Sequence, residues 1–176
     1  DSRLQIAVNA AAGDQRKLRK FLEQGVLDEH PRVRLEAVRG WARIPSSESA
    51  GQALKVLDQP MDRFLDFALW QTMRDLRSQW LPGVVSGQIT IDQEIPHWVF
   101  AMRAVEASAA IPVLMKVVRV NPLDREQTED ALSAIASLGG AAELSQLLKM
   151  ATSKTTDISL DRQVEILGSL VNTSRQ

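Results

Sequence analysis

The chain contains no cysteine, which excludes disulfides, thiolate metal sites, thiol nucleophiles and a Cys-x-x-Cys-His haem attachment within it. Tyrosine is missing too, and aromatic residues make up only 5% of the chain. Strand signals are nearly absent, because Ile89-Thr90-Ile91 alternates over three residues and sits in a connection. No run of 18 apolar residues occurs, so this stretch contains no membrane-spanning helix. Charge of one sign is lacking as well. The 21 basic and 22 acidic residues leave a net charge of −1, which supplies no global attraction to nucleic acid or anionic membranes. Residues 1–90 carry 13 basic and 11 acidic residues, and residues 91–176 carry 8 and 11, a weak asymmetry.

What remains is helical. Apolar residues at 44% and charged residues at 24% are ordinary for a globular fold, and 176 residues suffice for one domain with a real core. Residues 1–176 therefore read as a single domain. The chain opens at Asp1 without a methionine, so the expectation is an excerpt of a longer multidomain protein.

One helical phrase recurs. The segments 32–44, 62–76, 97–108 and 127–138 each carry a small residue followed by a larger apolar one. These are Ala37-Val38, Ala68-Leu69, Ala101-Met102 and Ala131-Leu132, with the alanines 31, 33 and 30 positions apart. A period in this range, with each helix followed by a second, predicts a stacked array of helical pairs. The expected fold is all-α, a right-handed α–α superhelix of about four to five pairs.

Local signals place the elements. An opening helix is expected over 4–12, then one from an Asp14 cap to about Gln24 with Gly25 as its left-handed stop. Pro31 suits a first turn, and Val33, Ala37, Val38, Trp41 and Ala42 form an apolar stripe behind it. Ser46 or Ser47 caps a partner helix with Ala50, Ala53, Leu54 and Leu57 inward. A further first helix is expected from Met61 to about Leu76, with a short partner over 79–86. Pro96 opens a third pair, whose second member runs through Val120. Asp124 and Gln127 resemble a capping box for the fourth, interrupted by Gly139-Gly140. A last helix, 158–171, presents Leu160, Val164, Leu167 and Val171 and has no following partner. The connection 87–95 is the least regular part and predicts a bend or insertion.

The phrase Val33-Arg34-Leu35-Glu36-Ala37-Val38 and the period resemble HEAT repeats of the short kind, a member of the armadillo-type folds. Two longer phrases are more particular. They are the ten residues from His30-Pro31-Arg32 to Arg39 and the fourteen from Leu57-Asp58-Gln59-Pro60 to Trp70. With Gln79-Trp80-Leu81-Pro82 they are similar to the HEAT-like segment of large planctomycete-type proteins described as membrane-bound or sugar dehydrogenases. Those proteins join a β-propeller to helical repeats and a cytochrome c-like haem domain. The resemblance implies an exported, periplasmic or extracytoplasmic parent in which this piece is a spacer or docking region. It transfers no catalytic residue and no cofactor, since neither propeller nor haem motifs occur here.

Candidate chemistry is sparse. Trp41 and Trp70 fall on the stripes of successive first helices and are expected to pack between layers. Trp80 and Trp98 lie near helix starts or loops, where they either pack or, partly exposed, line a groove for a sugar, peptide or nucleobase. Arg32, Arg39 and Arg43 share a helix face and, with Arg16, Lys17, Arg19 and Lys20, form a candidate basic patch. Glu23, Asp28, Glu29 and Glu36 are interleaved with them, so a solvated mixed face is the first reading and an anionic partner the alternative. Asp62 and Asp66 are one turn apart near a helix start, where capping and ion pairing suit them better than holding a cation. His30 and His97 belong to no metal-binding pattern.

The sequence thus points to a noncatalytic interaction or spacer module. Second helices usually line the inner face of such a ribbon, which nominates Gln52, Lys55, Lys116, Arg119, Gln146 and Lys149 as contact positions. Mixed charge suits a protein, a neighbouring domain or a polysaccharide. Two alternatives fit less well: a HEAT-like DNA glycosylase, for which the required positive field is lacking, and a lyase or chaperone for a small molecule, for which a convergent site is lacking.

Overall fold

The computed structural model describes residues 15–91, 94–120 and 125–152, together with 163, 164, 167, 168 and 171. Expectations for the opening helix, the Asp14 and Asp124 caps and most of the last helix fall outside the described residues. Among those described, the chain is all-α with no strand. The helices are α1 (Gln15–Gly25), α2 (Pro31–Ala42), α3 (Ser47–Leu54), α4 (Arg63–Asp75), α5 (Arg77–Ser86), α6 (Ile95–Ala104), α7 (Ile111–Val120), α8 (Arg125–Leu138) and α9 (Ala141–Thr152). They group into two compact units, Asp1–Pro82 and Gly83–Gln176.

In the first unit, α2 is central and packs against α1, α3 and α4. Its start is defined by His30, whose ring Nδ1 accepts the Arg32 N–H at 3.2 Å, with Pro31 at the first helical position. Ala37, Val38 and Trp41 are fully buried along it. Gly40 permits close approach to α1, since a Cβ there would stand 2.5 Å from Leu22 Cδ2, and Leu22 is itself fully buried. Gly25 does not act as a left-handed stop; it stays helical and buried as the last residue of α1.

Ser46 caps α3 by accepting the Ser49 N–H at 3.1 Å. The helix then tightens into a 3-10 turn over Lys55–Asp58. That change of period turns Val56 inward in place of Leu57, which is half-buried. Asp62 caps α4 by accepting the N–H groups of Phe64 and Leu65 at 2.8 and 2.9 Å. Its buried stripe is Leu65, Leu69, Thr72 and Met73. Trp80 on α5 is also fully buried, and its indole N–H donates to the Met73 carbonyl at 3.0 Å.

In the second unit, α6 and α7 each pack against α8, and α9 packs against α8 as well. Ala101, Met102, Ala131 and Ile135 are fully buried, and Leu132 nearly so. The connection after α5 folds back on the last turn of that helix, where Ile89 N–H donates to the Gly83 carbonyl at 3.0 Å. Ile91 is buried as well.

The recurrent phrase therefore occupies α2, α4, α6 and α8 in one register. Of its eight small and apolar members, Ala68 alone is half-buried.

Candidate functional site

Two grooves collect the surface residues of interest, one in each unit. The first lies along α2 and α4 and encloses about 490 Å³. Leu35 and Ala42 from α2 and Ala68 from α4 line it, beside the polar ends of Arg39, Arg43, Gln71 and Asp75. Phe64 and Phe67 also border it, at 62% and 64% exposure. Their rings belong to a row along α4. Phe67 stacks on Trp70 with centroids 6.0 Å apart, the Arg63 guanidinium lies 4.6 Å from the Phe64 centroid, and that of Arg74 lies 4.5 Å from Trp70.

This placement corrects the reading of Trp70. Expected to pack between layers, it is half-buried and forms part of an exposed aromatic row. The stripe Leu65–Leu69–Met73 already faces the core, and Trp70 stands one residue off it. Phe64 and Phe67 were missed altogether, although the same stripe assigns them to the other side of the helix.

The second groove lies along α7 and α9 and encloses about 540 Å³. Ile111, Pro112 and Met115 supply apolar surface, while Lys116, Glu143 and Gln146 supply polar ends. Lys116 and Gln146, nominated from sequence as contact positions on successive second helices, are both exposed and line this one groove. Glu143 has a structural duty as well. Its carboxylate accepts the Gly140 N–H at 2.8 Å, one arm of a capping box at the start of α9. That backbone hydrogen bond lowers the carboxyl pKa below the usual glutamate value. Gly139 is needed just before it, because a Cβ there would come within 2.6 Å of the Ile135 carbonyl oxygen.

The remaining candidates separate. Lys149 is exposed, and Gln52 and Lys55 are half-buried; none of the three lines either groove. The side chain of Arg119 lies outside the described residues. Trp80 and Trp98 do not line a surface at all, since they are 0% and 4% exposed. Packing against neighbouring elements hides them, although neither sits on an obvious amphipathic stripe.

The basic patch is a mixed face. Arg39 pairs with Glu36 at 3.1 Å and Arg19 with Glu48 at 2.6 Å. Arg32 and Arg43 are exposed, and Arg43 lies beside Arg39 at the first groove. Arg34, never singled out from sequence, is 4% exposed. It donates to the carbonyls of Asp28, Glu29 and Pro60 at 2.7, 2.9 and 2.7 Å, tying the loop before α2 to the loop before α4. Asp62 is occupied by its cap, and no group of three or more potential metal ligands occurs among the described residues.

Ser108 also lines the second groove with Lys116 and Glu143, and Thr72 lines the first with Asp75, its hydroxyl donating to the Ala68 carbonyl at 2.8 Å; both grooves offer mixed polar and apolar contact surface. Comparison with protein-family models, curated proteins and solved structures finds no match to this chain.

Proposed function

We propose that this chain is a noncatalytic helical-repeat scaffold, an α-solenoid of the HEAT-like kind that binds a partner protein or a neighbouring domain of a larger exported protein. The observation that carries the reading is the pairing of Lys116 and Gln146 in one groove. Stacked helical pairs bring side chains of successive second helices together on one face, and this pair follows that rule. The burial of Ala37, Ala101 and Ala131 supports the same stacking, with α2 beside α4 and α6 beside α8. The parent envisaged is a dehydrogenase-type protein with propeller and haem domains, and its support is the sequence resemblance alone.

The test has two arms. The coding sequence on either side should encode a propeller upstream and a Cys-x-x-Cys-His segment downstream; unrelated flanks would remove the parent. For the scaffold itself, neighbouring segments expressed separately should bind the full chain, and K116E/Q146E should weaken that binding at least about tenfold while leaving the circular dichroism unchanged. Equal binding by the variant would overturn the assignment of this face. Retarded mobility of abasic or alkylated duplex would favour the glycosylase alternative.

A further inference from the structure

We infer that the groove along α2 and α4 is a docking site for an acidic amphipathic helix, an interaction separate from the α7–α9 face and independent of the scaffold reading.

The fold does not require aromatic residues at this position. Phe67 precedes Ala68, and the residues preceding the equivalent alanines are Glu36, Phe100 and Asp130. Trp70 stands two after Ala68, where the other repeats carry Arg39, Arg103 and Ser133. Two phenylalanines more than half exposed on one helix face, with a stacked tryptophan continuing the row, therefore serve something other than the stacking of helices. The row is also held in place. Arg63 and Arg74 cover the rings at its two ends, so the aromatic side chains lose little further freedom when covered.

The groove has room because Ala68 is small and half-buried here, whereas Ala37, Ala101 and Ala131 are fully covered. A furrow between two helices with aromatic anchors one turn apart receives the apolar face of a third helix, read at i, i+3 or i+4, and i+7. Charge then selects the partner. Arg39 and Arg43 stand one turn apart on the α2 side, Arg39 in an exposed ion pair with Glu36 at 3.1 Å that a partner's carboxylate can replace at little cost, while Asp75 on the α4 side accepts from Gln71 Nε2 at 2.8 Å. Carboxylates flanking the partner's apolar stripe would meet the two arginines, adding orientation and on-rate more than affinity. A nucleic-acid strand is disfavoured because it needs a continuous line of cations, and Glu36, Asp66 and Asp75 interrupt the arginines.

The test pans the immobilised full chain against a phage-displayed library of random peptides about 16 residues long, and then measures enriched peptides by fluorescence anisotropy. Enriched sequences should combine Asp or Glu with helically spaced apolar residues. F64S/F67S should weaken them at least about tenfold, since both rings are central anchors. The charge swap R39E/R43E should shift enrichment to Lys- and Arg-rich peptides, a result that mere loss of structure cannot mimic. Both variants alter exposed positions and should retain the parent circular dichroism. Failure to enrich any peptide, equal affinity for F64S/F67S, or tighter binding of oligothymidylate than of any peptide would each overturn the proposal.

Discussion

The Arg103 guanidinium donates to the Ser133 hydroxyl at 2.6 Å, and each residue stands two positions after a fully buried alanine, Ala101 and Ala131. Equivalent positions of neighbouring first helices thus face one another. The first unit has a different crossing, since Thr72 stands four positions after Ala68 and Val38 one after Ala37. The Thr72 hydroxyl donates to Ala68 on its own helix at 2.8 Å and lies 3.4 Å from the Val38 carbonyl on α2. The Arg103–Ser133 bond joins residues at the same offset on α6 and α8, whereas Thr72 and Val38 meet at unequal offsets on α4 and α2.

The four alanines are nevertheless not equal. Ala101→Asp places a carboxylate at a fully buried position and should cost about 3 kcal/mol or more. Ala68→Asp should cost about 1 kcal/mol, because this residue is half-buried at a groove bordered by arginines. Urea denaturation of both variants makes the comparison. Equal loss would mean that α4 uses the same contact line as α6, contrary to the burial seen.

That contrast shows what the sequence could and could not reveal. The caps at Ser46 and Asp62, the first-turn proline of α2 and the apolar register were legible because each depends on residues within one turn. The outward placement of Phe64, Phe67 and Trp70 is harder to see, since hydrophobicity alone suggests burial and only the competing stripe through Leu65, Leu69 and Met73 turns these rings away from the core. For Trp80 the choice between packing and exposure is illegible in the sequence for a different reason. Helix α5 contains Pro82 and has no amphipathic stripe, so tertiary contact alone decides what it buries. The two grooves depend on how helices lie beside one another, which periodicity does not specify.

Arg34 is the clearest case of a charge used for architecture. Arg34→Met should destabilise the first unit by about 2–4 kcal/mol, because three loop carbonyls lose their donor while the stem still packs. Lysine should rescue only in part, since one ammonium cannot reproduce a planar fork directed at three acceptors. Chemical denaturation followed by tryptophan fluorescence reads both effects. Full rescue by lysine would show that charge matters and fork geometry does not.

Trp80 separates a hydrogen bond from packing. Trp80→Phe keeps an aromatic ring but leaves the Met73 carbonyl without the indole donor, an expected loss of about 1–2 kcal/mol. Trp80→Ala adds a cavity and should cost about 3–5 kcal/mol. If the phenylalanine variant matched the parent in urea, the indole N–H would contribute nothing and the ring alone would account for the site.

Glu143 predicts a dependence on pH whose sign is fixed by the direction of its shift. The folded-state pKa is lowered by the hydrogen bond from the Gly140 N–H, so folding favours the ionised form. The contribution is therefore fully present above the unfolded glutamate value of about 4.3, and it disappears as pH falls through the lower folded value. Glu143→Ala should be less stable than the parent by a constant amount above about pH 5, and the difference should shrink as acid protonates the parent's carboxylate. Glu143→Gln keeps an acceptor for Gly140 without a titrating group, so its stability relative to alanine should not vary over the same range. Urea titrations of the three proteins between neutral and acidic pH give the comparison directly. A difference between parent and alanine that persists unchanged into acid would mean that the cap acts through shape alone and that its charge is immaterial.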